Sequence, residues 1–421
     1  MIRWYGHVCG VLMTMLCVGT VYAQDQAPQG QEPTTRAEAI AAARAEKVAE
    51  LWPERQNAMV DVVDGMVERG LKEGLDSGKG ANGPQIVLGG MRDAQGLSVG
   101  MGYRRSDLFR ERLGYRGTAR GTIRGAYMLD FELDFSGLRT ERTSVNWYTK
   151  FEHSPEIDYF GAGNATSKDT RSSFRYDDFS SDFNAAFKPV RNLSVGVTGG
   201  YFHAHTAQSG EDDVPAIDEA FGPLALFGFE QDTHYTRIGL FGYFDSRDSQ
   251  TGARSGGLYG ARYREYWDVQ RGEFAFRQTE FEAQHYFPYF NKGRVVAVRG
   301  SLVLSYPKEG NAVPFYLQPT LGGSDELRGF VPYRFRDYHS ANVSVEHRWY
   351  AFSFLDMALF ADAGKVVRLK HDLTPTDLHY SGGMGFRFRF RSAIISRIDF
   401  AASSEGLRMI WTFSEAFNPR R

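Results

Sequence analysis

The chain has 421 residues, 49 Lys plus Arg against 51 Asp plus Glu, a formal charge of −2 and a mean hydropathy of −0.40. That balance argues against nucleic acid as the main partner, which calls for a basic excess. Beyond the N-terminus no apolar run is long enough to cross a bilayer as a helix. A transmembrane β-barrel is not excluded, because its strands alternate and average out as polar.

Residues 1–23 read as a secretory signal: Arg3 in a short basic region, an apolar run from Val8 to Gly19, and Val21-Tyr22-Ala23 as a small-residue cleavage site. Cys9 and Cys17 both lie in it, so the mature chain would carry no disulfide, thiol nucleophile or thiolate metal site. Residues 24–95 form an N-terminal segment. Gln24 to Thr35 is Pro- and Gln-rich and reads as disordered. Arg36 to Leu75 has helical character, with Met59, Val63 and Leu71 on one face. It is either a helix resting on the rest of the protein or one with a dedicated role. Ser77 to Gly83 is a Gly-rich linker.

From Gly96 the period becomes two, and residues 96–417 are expected to form the barrel, with 418–421 as a tail. In ANVSVEHRWY, Asn342, Ser344, Glu346 and Arg348 share one face, while Val343, Val345 and His347 share the other. In MLDFELDF, Asp130, Glu132 and Asp134 alternate with Leu129, Phe131 and Leu133. A soluble sandwich also alternates. The dense charged face repeats in strand after strand, as a wet lumen requires, and aromatics gather near strand ends (Trp147, Tyr148, Trp267, Tyr286, Phe287, Trp349, Tyr350), as at a bilayer interface. Sixteen candidate strands follow, the first near Gly96, the eleventh near Val313 and the last near Gly406. The fold class is therefore all-β, a 16-stranded antiparallel transmembrane barrel with a short N-terminal helical segment. Ala204 to Glu230 is the longest acidic connector and should face outside.

Three motifs together resemble the bacterial surface antigen barrels, the outer-membrane assembly and translocation proteins that include BamA, TamA and the two-partner secretion transporters. FDSRDSQTGARSGG carries Asp245, Arg247 and Asp248 before a Gly-terminated turn. GGSDELRGF carries Arg328, Gly329 and Phe330, matching the family's Arg-Gly-Phe loop tip. ALFADAGKV carries Asp362 and Gly364, matching its Phe-x-Asp-x-Gly strand. The resemblance implies a long loop folded back into the barrel. Strand phase independently places Glu346 and Asp362 on the lumenal face of neighbouring strands, where a guanidinium finds matching carboxylates. The loop is thus expected to act as a latch: Arg328 pairs with Asp362 and Glu346, Gly329 permits the tight tip, and Phe330 packs on the wall.

The resemblance implies insertion or translocation of unfolded outer-membrane or secreted proteins, in contact with outer-membrane lipid and lipopolysaccharide. Assembly-type members carry POTRA modules, and Gln24 to Gln95 shows no strand alternation for one. The chain reads as a barrel-only member, with a periplasmic partner in place of those modules and the helix either plugging the barrel or lying in the periplasm. Gly96, Gly100 and Gly102 suggest a labile seam between first and last strands, or close packing against aromatics. The last strand turns Leu407, Met409, Trp411 and Phe413 outward. The alternatives are a passive channel, with Arg387 and Arg389 against Glu280 and Glu282 setting ion preference, or a structural surface anchor. No Ser/His/Asp arrangement stands out, so no enzyme, cofactor or metal is expected. His203 and His205, two apart on a strand, share a face without an evident third ligand.

Overall fold

The computed structural model describes residues 82–417 except 90, 136–137, 141, 212, 223–224, 353, 391–392 and 414–416. The signal segment and the Arg36 to Leu75 helix lie outside the described residues. Strands run in chain order: β1 (Gly83–Leu88), β2 (Ser98–Asp107), β3 (Leu113–Thr122), β4 (Tyr127–Asp134), β5 (Thr143–Tyr159), β6 (Ser172–Val190), β7 (Leu193–Gln208), β8 (Thr233–Asp245) and β9 (Gly256–Asp268). They continue as β10 (Phe276–Tyr289), β11 (Arg294–Pro307), β12 (Thr320–Leu321), β13 (Phe335–Arg336), β14 (His339–Phe352), β15 (Leu355–Val367), β16 (His379–Phe390), β17 (Ala393–Ser403) and β18 (Gly406–Thr412). All except β12 and β13 form one 16-stranded antiparallel sheet in sequence order. The short β12–β13 pair is separate, inside the connector between β11 and β14.

The sheet is inside out relative to a soluble sandwich. On β14, Asn342, Ser344, Glu346 and Arg348 are buried, while Val343 on the opposite face is 51% exposed. Ile238, Leu240, Leu359, Met101 and Met409 are exposed as well, whereas Arg299, Arg328, Arg348, Arg387 and Arg397 are among the most fully buried large side chains. Apolar groups outward and paired charges inward is the arrangement a transmembrane barrel requires, since hydrocarbon solvates neither backbone nor charge. The described residues contain no helix long and apolar enough to cross a membrane.

Strand membership differs from the sequence expectation at two places, though the number sixteen is the same. The sheet begins at Gly83, where the expected linker ends and within the expected N-terminal segment 24–95. The Val313 segment is not a wall strand: it forms a 3-10 turn at Phe315–Leu317, with Val313 and Phe315 buried. Its apolar residues pack inside the barrel against Tyr159, Phe174, Tyr176, Tyr235 and Phe276 rather than facing lipid. That makes 308–338 a longer connector than the expected Ala204 to Glu230, which shrinks because β7 continues to Gln208. Tyr286 also departs from the interface assignment: it points inward and is fully buried.

Candidate functional site

The 308–338 connector folds into the barrel, and its tip carries Arg328. The guanidinium donates from Nε to Asp362 Oδ2 at 3.0 Å and from Nη2 to Asp362 Oδ1 at 2.7 Å. Its Nη1 donates to Glu346 Oε2 at 2.7 Å. The Arg328 backbone N–H also reaches Asp362 Oδ2, at 3.2 Å, and the Ser381 hydroxyl donates to the same oxygen at 3.0 Å. The plane of Arg328 lies 3.5 Å over the Phe360 ring. Burial opposes the charge on Arg328, but Asp362 and Glu346 more than offset it and hold its pKa above the ordinary arginine value.

Register explains this convergence. Asp362 faces Ser344 on β14 and Ser381 on β16, so it lies near Glu346 on the lumenal face. Arg387 on β16 donates to Glu346 at 2.9 and 3.2 Å and to Asp399 at 2.5 Å. Arg348 reaches Glu346 at 2.7 Å. Arg397 reaches Asp399 at 2.7 Å and Asp325 of the loop at 2.6 Å. Among the described residues, the guanidiniums of Arg328, Arg348, Arg387 and Arg397 thus meet the carboxylates of Asp325, Glu346, Asp362 and Asp399 in one network. Pairing is what makes such burial tolerable, since an unpaired charge in a low-dielectric interior costs several kcal/mol.

Gly329 and Gly364 are glycines for space. A Cβ on Gly329 would sit 2.7 Å from both Ser381 Cβ and Ser403 Cβ and 2.8 Å from the Ala402 carbonyl. Its φ is not in the left-handed region, so close approach to the wall decides the residue, rather than a tight tip. A Cβ on Gly364 would meet the Ala341 carbonyl at 2.9 Å and Leu321 of the loop at 3.1 Å. Phe330 is buried with Leu321, Leu327, Phe335 and Val366, edge-on to Phe335 and His379.

The structure does not bring Asp245, Arg247 and Asp248 to this centre. They form the β8–β9 turn at the opposite end of the barrel. Arg247 forks onto Asp245 with two contacts of 2.9 Å. Asp248 accepts the backbone N–H groups of Arg254 and Ser255 and the Lys292 ammonium at 3.0 Å. Burial raises its pKa, and those donors outweigh burial and bring it to about 2. Arg254 turns inward to Asp356 at 2.8 Å, and Arg389 contacts the same carboxylate at 3.5 Å. Glu280 and Glu282, set against Arg387 and Arg389 in the channel alternative, pair with Arg262, Arg264 and Arg299, while Arg387 pairs with Glu346 and Asp399 and Arg389 with Asp356. His203 and His205 both contact Asp232, at 3.3 and 2.9 Å. Among the described residues no group of three or more His, Cys, Asp or Glu is placed to hold a metal ion.

Sequence reasoning missed the β1–β2 connector. Arg92 reaches Asp178 on β6 at 2.6 Å, and its backbone N–H reaches Glu152 on β5. Asp93 accepts the Ser324 N–H at 2.8 Å and the Ser324 hydroxyl at 3.0 Å. It also missed Phe417, which is buried against Tyr286 with Arg348 above its ring and its carbonyl accepting from Gln284 at 3.0 Å. Neither has a periodic signal, because neither belongs to a strand.

The family model of the Omp85 superfamily domain matches residues 112–404. Among solved structures, BamA from Haemophilus ducreyi lacking POTRA domains 1-3 is similar at 13% identity and a TM-score of 0.59, over 79% of this chain and 71% of that one. CdiB from Acinetobacter baumannii (11% identity, TM-score 0.47) and CdiB from Escherichia coli (12%, 0.49) each match over 78% of this chain. The match covers 58% and 61% of those two chains, less than two thirds of either. No curated protein matches the chain. The family match over most of the sheet, on an inside-out 16-stranded wall, makes this chain a member of the Omp85 superfamily, an outer-membrane barrel of the transport and assembly class.

Proposed function

We propose that this barrel inserts or translocates protein clients at the outer membrane, and that the Arg328-Gly329-Phe330 tip is an internal latch whose release changes the barrel's shape. One observation carries the reading most directly. Arg328 is buried and forked between Asp362 and Glu346 on two neighbouring strands, which ties a mobile kind of element, a loop, to the rigid wall by charge-assisted bonds. Such a contact fixes position strongly yet can be exchanged for another, as a bistable device needs. Clients are unfolded outer-membrane or secreted proteins, delivered by a periplasmic partner. The exposed apolar band contacts outer-membrane lipid and lipopolysaccharide.

The test is insertion of an unfolded outer-membrane porin into liposomes with and without the purified protein, read by protease protection. Acceleration that falls in Arg328→Ala supports the reading. No acceleration, together with steady ion conductance in a planar bilayer, overturns it in favour of a passive channel.

A further inference from the structure

The β7–β8 connector (209–232), the β9–β10 connector (269–275) and the start of the 308–338 connector meet at one end of the barrel, around a cavity of about 650 Å³. Its apolar wall is aromatic, with Phe221, Phe227, Phe229 and Phe274 in the lining. Phe274 is buried in the interior aromatic cluster, whereas Phe227 is 39% exposed. The connectors are tied to one another, so the cavity is preformed. The Ala312 N–H donates to the Glu273 carbonyl at 3.0 Å, and the Phe315 N–H to the Phe227 carbonyl at 3.2 Å. The Ala275 N–H donates to Asn311 Oδ1 at 2.9 Å. Gly228, with a φ of 87°, lets the chain pass close to Tyr316, where a Cβ would stand 3.0 Å from the ring. That size and lining suit a small organic molecule rather than a bare ion.

The polar groups of the lining favour one sign of charge. Asp218 and Glu273 bring carboxylates, and Gln231 brings an Oε1 that is buried without a hydrogen-bond partner. Among the described residues no lysine or arginine lines the cavity. The Asn311 amide could donate, but it is spent on the Glu309 carbonyl at 3.0 Å. Acceptors and negative charge therefore face the space, with aromatic rings beside them. An anion would be repelled there. A neutral apolar molecule would leave the Gln231 oxygen without a donor, which is unfavourable for a buried acceptor. A cation that carries N–H donors meets the carboxylates and the amide oxygen alike, and ring faces attract it as well.

We propose that this cavity binds a small organic cation, an ammonium or guanidinium on an apolar body. The charged end lies among Asp218, Glu273 and Gln231, and the body lies against Phe227 and Phe274. A free amine and a basic side chain on a polypeptide segment share that chemistry. The site is separate from the Arg328 latch. It goes beyond the proposed function, because it requires no client to be inserted or moved.

The test is titration calorimetry on the full chain in lipid nanodiscs, with the signal of empty nanodiscs subtracted. Phenethylamine is the probe, and phenylacetate, a similar ring carrying an anion, is its counterpart. Phenethylamine should bind at least about tenfold more tightly, as one charge-assisted hydrogen bond suffices to give. Asp218→Asn combined with Glu273→Gln should weaken phenethylamine by about tenfold and leave phenylacetate no weaker. Both side chains are exposed and both replacements keep their shape, so the fold is retained. Asp107→Asn removes a carboxylate that pairs with Arg105 at the end of β2, far from the cavity, and should change nothing. A blocked lysine–phenylalanine dipeptide separates the two sources: tighter binding than phenethylamine assigns a polypeptide segment, and weaker binding assigns a free amine. Equal affinity for phenethylamine and phenylacetate overturns the proposal, as does absence of binding by phenethylamine and dipeptide alike. An equal loss in Asp107→Asn also overturns it, because the attraction would then belong to the surface as a whole.

Discussion

Replacing Arg328 by alanine should be far more costly than its single side chain suggests, and the cost should fall on one identifiable partner. Glu346 would lose one contact but keep Arg348 at 2.7 Å and Arg387 at 2.9 Å. Asp362 would lose both arms of the fork and retain only the Ser381 hydroxyl and the backbone N–H of residue 328. It becomes a buried carboxylate that no cation among the described residues pairs with. Removing one partner of a buried pair costs about 3–5 kcal/mol, most of it from the charge left behind. If that is the cause, deleting the charge as well should relieve it. Arg328→Ala with Asp362→Ala should therefore be less destabilised than the two single changes summed, by a coupling of about 2 kcal/mol. The assay is urea unfolding in lipid vesicles, followed by tryptophan fluorescence and by the mobility shift of the folded barrel. Additivity within about 0.5 kcal/mol would refute the reasoning, because it would mean Asp362 is not orphaned when Arg328 goes.

Gly329→Ala should destabilise by about 1–3 kcal/mol through overpacking against Ser381 and Ser403, and should raise protease sensitivity within 321–337; unchanged proteolysis would show that the wall can yield there. Phe417→Ala should increase single-channel conductance in planar bilayers, since it empties the space against Tyr286 and Arg348; identical conductance would place the constriction elsewhere. Arg336 is buried among the rings of Tyr159, Phe174, Phe315 and Tyr333, and no carboxylate among the described residues pairs with it. Arg336→Met leaves no orphaned carboxylate but loses the 2.6 Å bond to the Phe315 carbonyl, and should cost about 1–3 kcal/mol in the same urea assay, less than Arg328→Ala. Asp248 should titrate near pH 2 by carbon NMR. A depressed folded-state pKa stabilises the turn above the ordinary carboxylate value and stops doing so as pH falls through about 2, so hydrogen exchange in 246–255 should stay slow at pH 4.

The inside-out wall was legible because alternation is local: Glu346 and Asp362 reveal their face by counting from Ser344 and Ala363. Phase gave the lumenal face of Glu346 and Asp362, but that the loop bearing Arg328 enters the barrel to meet them came from the family resemblance rather than from its residues. What escaped had no period to read. GPQIVL is too short and too flanked by glycine and proline to compete with a linker reading, and only pairing with β2 makes it a strand. The Val313 segment carries apolar residues as a wall strand does, and only the aromatic cluster inside the barrel shows where they go. The two errors cancelled in the strand number. Arg387 was seen to face the lumen, but its pairing with Glu346 and Asp399 was not read, because phase gives a side and register gives a neighbour.

Apart from β11–β14, which pair across the inner loop, the wall ladders join strands that follow one another in the chain, so most of the wall can assemble from local hairpins. The interior contacts are of another kind: Asp93 meets Ser324 across 231 residues, and Gln284 meets Phe417 across 133. Contacts of such separation form slowly, because their loop closure must come first. The order of folding is therefore written into the topology: the wall rises early, and the loop and tail can dock only once both ends of the chain have reached the same ring. A barrel stalled before that point would already span the membrane while its lumen stood open, which gives the last contacts to form a disproportionate say in whether a half-made molecule leaks.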